Sequence, residues 1–470
     1  MKKILSYISG SKDLTQGKPS SLILSFGLPL LFGLIFQQFY NMVDSVIVGQ
    51  KLGTDALAAV GSTGSINFMI LGFCIGICNG FAIPVAQSYG AKDVKELKTF
   101  IINSIWSSVA LAAVLTIVIS MYTRDILKLL RTPDNIIDDA YIYILIIFLG
   151  IPATFLYNLT AGILRSLGDS VTPVIFLVGS SLVNIILDLI LVAPLKVAGA
   201  AIATVSSQAL SGIICTIYMT KKLKYLAFTR EDWTFSPKHI AKLLGMGVPM
   251  GIQYSITAIG SVILQTAVND MGSTYVAAVS AGTKISMFMC CPFDAMGSTM
   301  ATYGGQNVGA RKLDRVNEGL VACVKLGIIY SFIAFTVLLI FGRQLALLFV
   351  KKSQTQLIGY IYQFIVGNSA FYTFLACVNI FRFMIQGLGY SAFAIIAGIC
   401  EMIARSVAGF FLVPHFGFIC VAIASPLAWI CADLFLIPAY IWVMKKLRIK
   451  LNQPKEANVS ISIRPRRSLR

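Results

Sequence analysis

The chain has 470 residues, of which 57% are hydrophobic and 12% charged, with a mean hydropathy of +0.81. Soluble domains are usually about 25% charged, so this composition excludes an ordinary soluble protein, and apolar stretches that do not alternate exclude a transmembrane β-barrel. The net charge of +18 does not signal nucleic acid, because the basic residues sit in short connections and in the C-terminal tail.

In chain order, Lys2 and Lys3 precede an apolar run (Ile4, Leu5, Ile8) too short for a cleaved signal peptide. Twelve apolar stretches follow, near 22–49, 56–86, 99–121, 139–163, 171–194, 198–220, 241–268, 275–303, 319–342, 357–384, 391–413 and 418–444. About 20 apolar residues cross a hydrocarbon core as a helix. Internal prolines such as Pro29, Pro84, Pro249 and Pro292 are tolerated where neighbours satisfy the freed backbone. The expected fold is an all-α integral membrane protein with twelve transmembrane helices. With the N-terminus placed inside, 26 Lys and Arg fall in inner segments, eight in outer ones and four within spans, out of 38. The positive-inside rule then puts both termini in the cytoplasm of a multi-pass cell-membrane protein. The tail "NVSISIRPRRSLR" (458–470) reads as basic and disordered, suited to anionic lipid. Ten cysteines spread through the apolar stretches read as packing residues rather than metal ligands.

The sequence repeats itself. At a shift of 219, "GTDALAAV" (53–60) meets "GSTYVAAV" (272–279) and "QSYGAK" (87–92) meets "QNVGAR" (306–311), with seven identities in fourteen positions. At 221, "SLGDS" (166–170) meets "GLGYS" (387–391). The expected organisation is a six-helix lobe at 1–220, a cytoplasmic linker at 221–240, a second six-helix lobe at 241–444 and a basic tail at 445–470. Repeats with an even number of spans face the same way, as in transporters whose two lobes rock about a central site.

Asp44 is the sole formal charge between Leu22 and Gly49. Ionisable residues within spans are costly and usually face a bundle interior or a watery cavity. Asp44 lies seven residues before Lys51, and Asp188 eight before Lys196, so both sit roughly 10–12 Å inside the outer end. Each heads a polar helical face: Gln37, Asn41 and Asp44 on the first span; Ser181, Asn184 and Asp188 on the fifth. Thr204 and Gln208 put a hydroxyl and an amide at the same depth on the sixth. Carboxylate, amide and hydroxyl oxygens at one level suit a proton or a hard cation such as Na⁺. Of the other charges in spans, Lys325 and Arg382 read as snorkelling from inner ends, Glu401 and Arg405 as an ion pair one turn apart, and Lys284, Asp294 and Asp433 are left without a role.

These residues carry a resemblance. "VDSVIVGQKLGTDALAAVG" (43–61), "QSYGAKD" (87–93), "LRSLGDS" (164–170) and "NIILD" (184–188), with the echoes "GGQNVGARK" (304–312) and "IQGLGYS" (385–391), resemble the multidrug and toxic compound extrusion (MATE) family over nearly the whole chain. The resemblance implies an antiporter that expels organic cations or amphiphilic drugs against H⁺ or Na⁺, with no cofactor. It maps the coupling residues onto Asp44, Asn184, Asp188 and Thr204. One branch of that family has acidic residues on the seventh and tenth spans; here Gln253, Thr257, Tyr372 and Asn379 stand as second-lobe cavity candidates instead. The expected partners are small-molecule substrates and the lipid bilayer, with a monomer as the expected state. The rival within transport is a flippase for a lipid-linked precursor, which would need a strongly cationic cavity. Its sequence candidates are Lys284, Arg382 and Arg405. An enzyme is not expected, since no paired metal motif, nucleophile motif or phosphate loop is present.

Overall fold

The computed structural model describes residues 12–129, 132–222 and 228–452, so the 458–470 tail and part of the 221–240 linker lie outside the described residues. Among them there is helix and no strand. Twelve helical spans are present: α1 (Pro19–Leu52), α2 (Asp55–Gly90), α3 (Val94–Leu129), α4 (Ile137–Leu149 and Ile151–Ser166, bent by 44°), α5 (Val171–Leu195), α6 (Val197–Lys221), α7 (Pro237–Asp270), α8 (Ser273–Gly309), α9 (Leu313–Ala346), α10 (Thr355–Ser369 and Tyr372–Gly387, bent by 49°), α11 (Ala392–Phe416) and α12 (Phe418–Leu451). The bent spans break where Gly150 and Ala370–Phe371 interrupt otherwise apolar helices. α1 runs unbroken through Pro29.

The spans form two six-helix lobes. α1–α6 pack about one apolar core, including Ile77, Phe81, Phe100, Phe148 and Phe155. α7–α12 pack about another, including Phe293, Tyr303, Tyr372 and Trp429, which also takes in Phe26 and Leu30 from α1. The lobes meet mainly through α2 against α7, with α8 packing against both α2 and α1. Small residues make the α2–α7 approach possible, as expected where helices associate without a hydrophobic driving force. A Cβ on Gly76 would stand 2.7 Å from the backbone of Gly251, and one on Gly80 2.4 Å from Gly247.

The lobes are closest at the face that carries the α6–α7 connection, here the terminal face, and the contacts there are reciprocal. Gln87 Nε2 donates to the Gly387 carbonyl at 3.0 Å, and Gln306 Nε2 to the Ser166 carbonyl at 2.8 Å. Gly90 lies against the Gln306 carbonyl and Gly309 against the Gln87 carbonyl, with room for no side chain at either: a Cβ would stand 2.0 and 1.9 Å away. Each pair exchanges under the sequence repeat. So do Lys92 (φ 57°) and Arg311 (φ 59°), which end α2 and α8 in the left-handed conformation usually reserved for glycine. The segment before α1 crosses this seam. Lys12 N–H donates to the Gly168 carbonyl in one lobe, while Leu14 N–H donates to Gln306 Oε1 and Lys312 Nζ to the Thr15 carbonyl in the other. Away from this face the contacts reach Ser255 Oγ, which donates to the Met69 carbonyl at 3.2 Å. Beyond that level Ile259, Ser261 and Val262 on α7 are exposed.

Candidate functional site

The first lobe encloses a cavity of about 240 Å³. Gln37, Asn41 and Asp44 reach it from α1, Ser181 from α5, and Thr204 and Gln208 from α6. The helical spacing read from sequence therefore does aim these side chains at one volume. Asp188 and Asn184 lie behind the wall, 0% and 1% exposed. The Asp44 and Asp188 carboxyls face one another, and Tyr40 and Tyr143 stand close enough to sense both.

The polar atoms of this cluster are short of partners. Asp44 Oδ1, both Asp188 oxygens and both polar atoms of the Asn184 amide are buried with no hydrogen bond. Buried polar groups are nearly always satisfied, because an unpaired one costs about 1–3 kcal/mol. Five unpartnered atoms on facing helices α1 and α5 thus describe a site suited to coordination or protonation. Around it the hydroxyls and amides are held in place. Thr204 Oγ1 donates to its own helix at Ala200 (3.0 Å), Ser181 Oγ to Leu177 (2.8 Å), and Thr154 Oγ1 to Gln208 Oε1 (3.0 Å).

Several residues here carried no sequence assignment. Asn67 on α2, and Tyr143, Thr154 and Asn158 on α4, also line the cavity. Tyr40 could have been found, since it lies four residues before Asp44 on the same face. Tyr143 could not, because it sits in the apolar run "YIYILIIF" with nothing to mark its face.

Two helices line both this cavity and the space between the lobes. On α2, Asn67, Leu71 and Ile75 line the cavity in the first lobe, and Asn79, Ala82 and Ala86 line the interlobe space on the same helical stripe. On α4, Thr154 and Asn158 lead in the same way to Gly162 and Arg165.

The second lobe is different. Gln253 is buried and accepts from Gln386 Nε2 at 2.9 Å, and Thr257 donates to the Gln253 carbonyl. Tyr372 is 1% exposed with its ring against Phe293, and Asn379 is buried. Of the four candidates of that lobe, Gln253, Tyr372 and Asn379 are buried in its interior and Thr257 is half-buried. The reading of Arg382 as a snorkelling side chain is corrected: it is buried and bonded to Glu401, which also takes Arg405 Nη2 at 3.3 Å. Proximity to the end of the span was misleading, because the partner lies 19 residues away on α11. Asp433 is buried nearby with both carboxyl oxygens unpartnered.

Two repeated six-helix lobes, with a buried polar cluster beside a cavity inside the first, define a multi-pass membrane transporter. The family model described as MatE matches the chain twice, over residues 29–190 and 249–411. The chain belongs to this family, the multidrug and toxic compound extrusion transporters, and is not an enzyme. It is 30% identical over 344 residues to the probable multidrug resistance protein YoeA of Bacillus subtilis, covering 71% of this chain and 74% of that one. It is 24% identical over 396 residues to an FAD transporter of Shewanella oneidensis, covering 81% and 85%. Among solved structures it is similar to the crystal structure of MATE in complex with MaL6, with a TM-score of 0.86 at 21% identity, covering 95% of this chain and all of that one.

Proposed function

We propose that this chain is a secondary antiporter that exports cationic or amphiphilic small molecules in exchange for H⁺ or Na⁺, from the cytoplasm across the cell membrane. The observation that carries the reading is the set of unpartnered buried atoms on Asp44, Asn184 and Asp188, beside a cavity in the first lobe whose lining helices α2 and α4 also line the interlobe space. Two facing carboxylates cannot both stay charged and unpaired at low cost. A proton or Na⁺ satisfies them, with Thr204 as an auxiliary oxygen. The terminal face is the cytoplasmic one in this reading, so the present state is sealed inward and parted outward. Ion loading from outside then favours release of cargo, and emptying towards the cytoplasm resets the lobes. The coupling is as large as the difference in ion affinity between the two states, typically about 1–3 kcal/mol. The matches at 29–190 and 249–411 each fall within one proposed lobe, 1–220 and 241–444, with the proposed 221–240 linker between them; the proposed 445–470 tail begins within the last turns of α12.

A lipid-linked precursor would call for a strongly cationic cleft. Arg382 and Arg405 are drawn into the second lobe by Glu401, which leaves that reading without most of its charge.

The test is ethidium efflux from energised vesicles under a pH gradient or a Na⁺ gradient applied separately. Asp44→Asn is expected to lower gradient-driven efflux about tenfold or more, equivalent to about 1.4 kcal/mol, while eluting as folded protein. Efflux retained in this variant removes Asp44 from coupling, and the gradient that drives the wild type names the ion.

A further inference from the structure

The coupling cluster makes no use of two charged side chains that face the interlobe cleft. Arg165, in the last turn of α4, lines the interlobe space and donates from Nη2 to Asn79 Oδ1 at 3.3 Å. Asp294 lies on α8. Ser298, Ala301 and Thr302 of α8 line that same space, and Asp294 precedes them by four, seven and eight residues, on the same helical face one turn further out. It is exposed although α8 packs against helices of both lobes, so its opening is to the cleft. Tyr254 of α7 lies against the Asn79 amide and within electrostatic reach of Asp294, of the Glu401-paired Arg382 and of Arg165. Among the described residues neither Arg165 nor Asp294 enters an ion pair.

One wall of the cleft therefore presents a guanidinium and the other a carboxylate, with an amide and a phenol nearby. A simple organic cation would satisfy Asp294 and leave Arg165 uncompensated as the cleft closes over it. A simple anion would do the reverse. Leaving one charge of a desolvated set unpaired is strongly unfavourable. We infer that the cleft is built for a zwitterionic amphiphile, whose ammonium group is taken by Asp294 and whose oxyanion is taken by the Arg165 fork. Guanidinium binds carboxylate or phosphate through two parallel N–H donors, which fixes orientation as well as charge. This rests on the exporter reading above and adds to it the class of cargo.

The experiment uses the purified full chain in proteoliposomes with two rhodamine dyes, a methyl-ester cation and the matching free-acid zwitterion. Transport under a gradient and equilibrium binding by fluorescence polarisation are both read as the ratio of free acid to ester. Arg165→Gln is expected to lower that ratio about tenfold or more. Arg165→Lys, which keeps the charge without the fork, is expected to lower it by less, and stands in should the glutamine variant not fold. Asp294→Asn is expected to weaken both dyes together. A folded Arg165 variant with the wild-type ratio overturns the inference, as does an Asp294→Asn protein that binds the ester as tightly as wild type. If the wild type moves the ester in an Asp44-dependent way while the ratio ignores Arg165, this inference alone fails. If the wild type neither binds nor moves either dye, the exporter reading fails with it.

Discussion

Glu401 holds two guanidinium groups inside the second lobe, and all three side chains are 8% exposed or less. Replacing it with glutamine keeps the shape and removes the one charge that compensates both arginines there. Breaking a buried ion pair from one side costs about 3–5 kcal/mol. Glu401→Gln is accordingly expected to lower the thermal midpoint in detergent by far more than Asp44→Asn, whose partner is another carboxyl; equal midpoints for Glu401→Gln and wild type would mean the triad carries no net stability. The contrast also explains which single residues were legible. Asp44 and Asp188 stood out because each is a charge in an apolar run with no basic residue a turn away. Arg382 was misread because its partner belongs to a different span. Arg165, counted with the inner connections, belongs to the last turn of α4 and faces the interlobe space. Asp294 had no visible role because only the packing of α8 between the lobes places its face on the cleft.

At the scale of the helices, the ends of α2 and α8 decide whether the terminal face can close. Backbone meets backbone at Gly90 and Gly309, so a methyl group there cannot be accommodated by rotating a side chain. Gly90→Ala is expected to shift the population towards the state open at the terminal face. Spin labels carried by unnatural amino acids at Lys95 in the first turn of α3 and Glu318 in the second turn of α9 check this as a longer interlobe distance than in wild type. An unchanged distance distribution would mean the seam tolerates the methyl group. The helices themselves followed from apolar length, and the paired motifs "QSYGAK" and "QNVGAR" announced their own equivalence. What the motifs did not disclose was that each reaches across to the opposite lobe, because a hydrogen bond between Gln306 and Ser166 spans 140 residues and leaves no local pattern.

For the molecule as a whole, the two lobes share one cleft, and the Asp44–Asp188 cluster lies off to one side of it in the first lobe. In the proposed exchange, coupling is therefore carried by the change in lobe packing rather than by direct competition for one pocket. Linkage then requires reciprocity in binding: the factor by which the ion weakens cargo must equal the factor by which cargo weakens the ion. Dye affinity of the purified protein is expected to fall about five- to 150-fold on saturation with the coupling ion, the span that corresponds to common coupling energies, and to be indifferent to that ion in Asp44→Asn. Dye affinity that ignores the ion in the wild type would contradict exchange through a common conformational equilibrium.

The seam at the terminal face also bears on ancestry. Gln87 meets Gly387 as Gln306 meets Ser166, and Gly90 meets Gln306 as Gly309 meets Gln87. An interface that maps onto itself when its halves are exchanged is isologous, the kind that joins identical subunits about a two-fold axis. This chain thus retains within one polypeptide the contact by which two copies of a six-helix protein could have paired before their genes were fused. The divergence since then is uneven: the seam has kept its symmetry, while under the repeat Asp44 falls on the apolar Ile263–Leu264 stretch of α7 and Asp188 on Gly409 of α11.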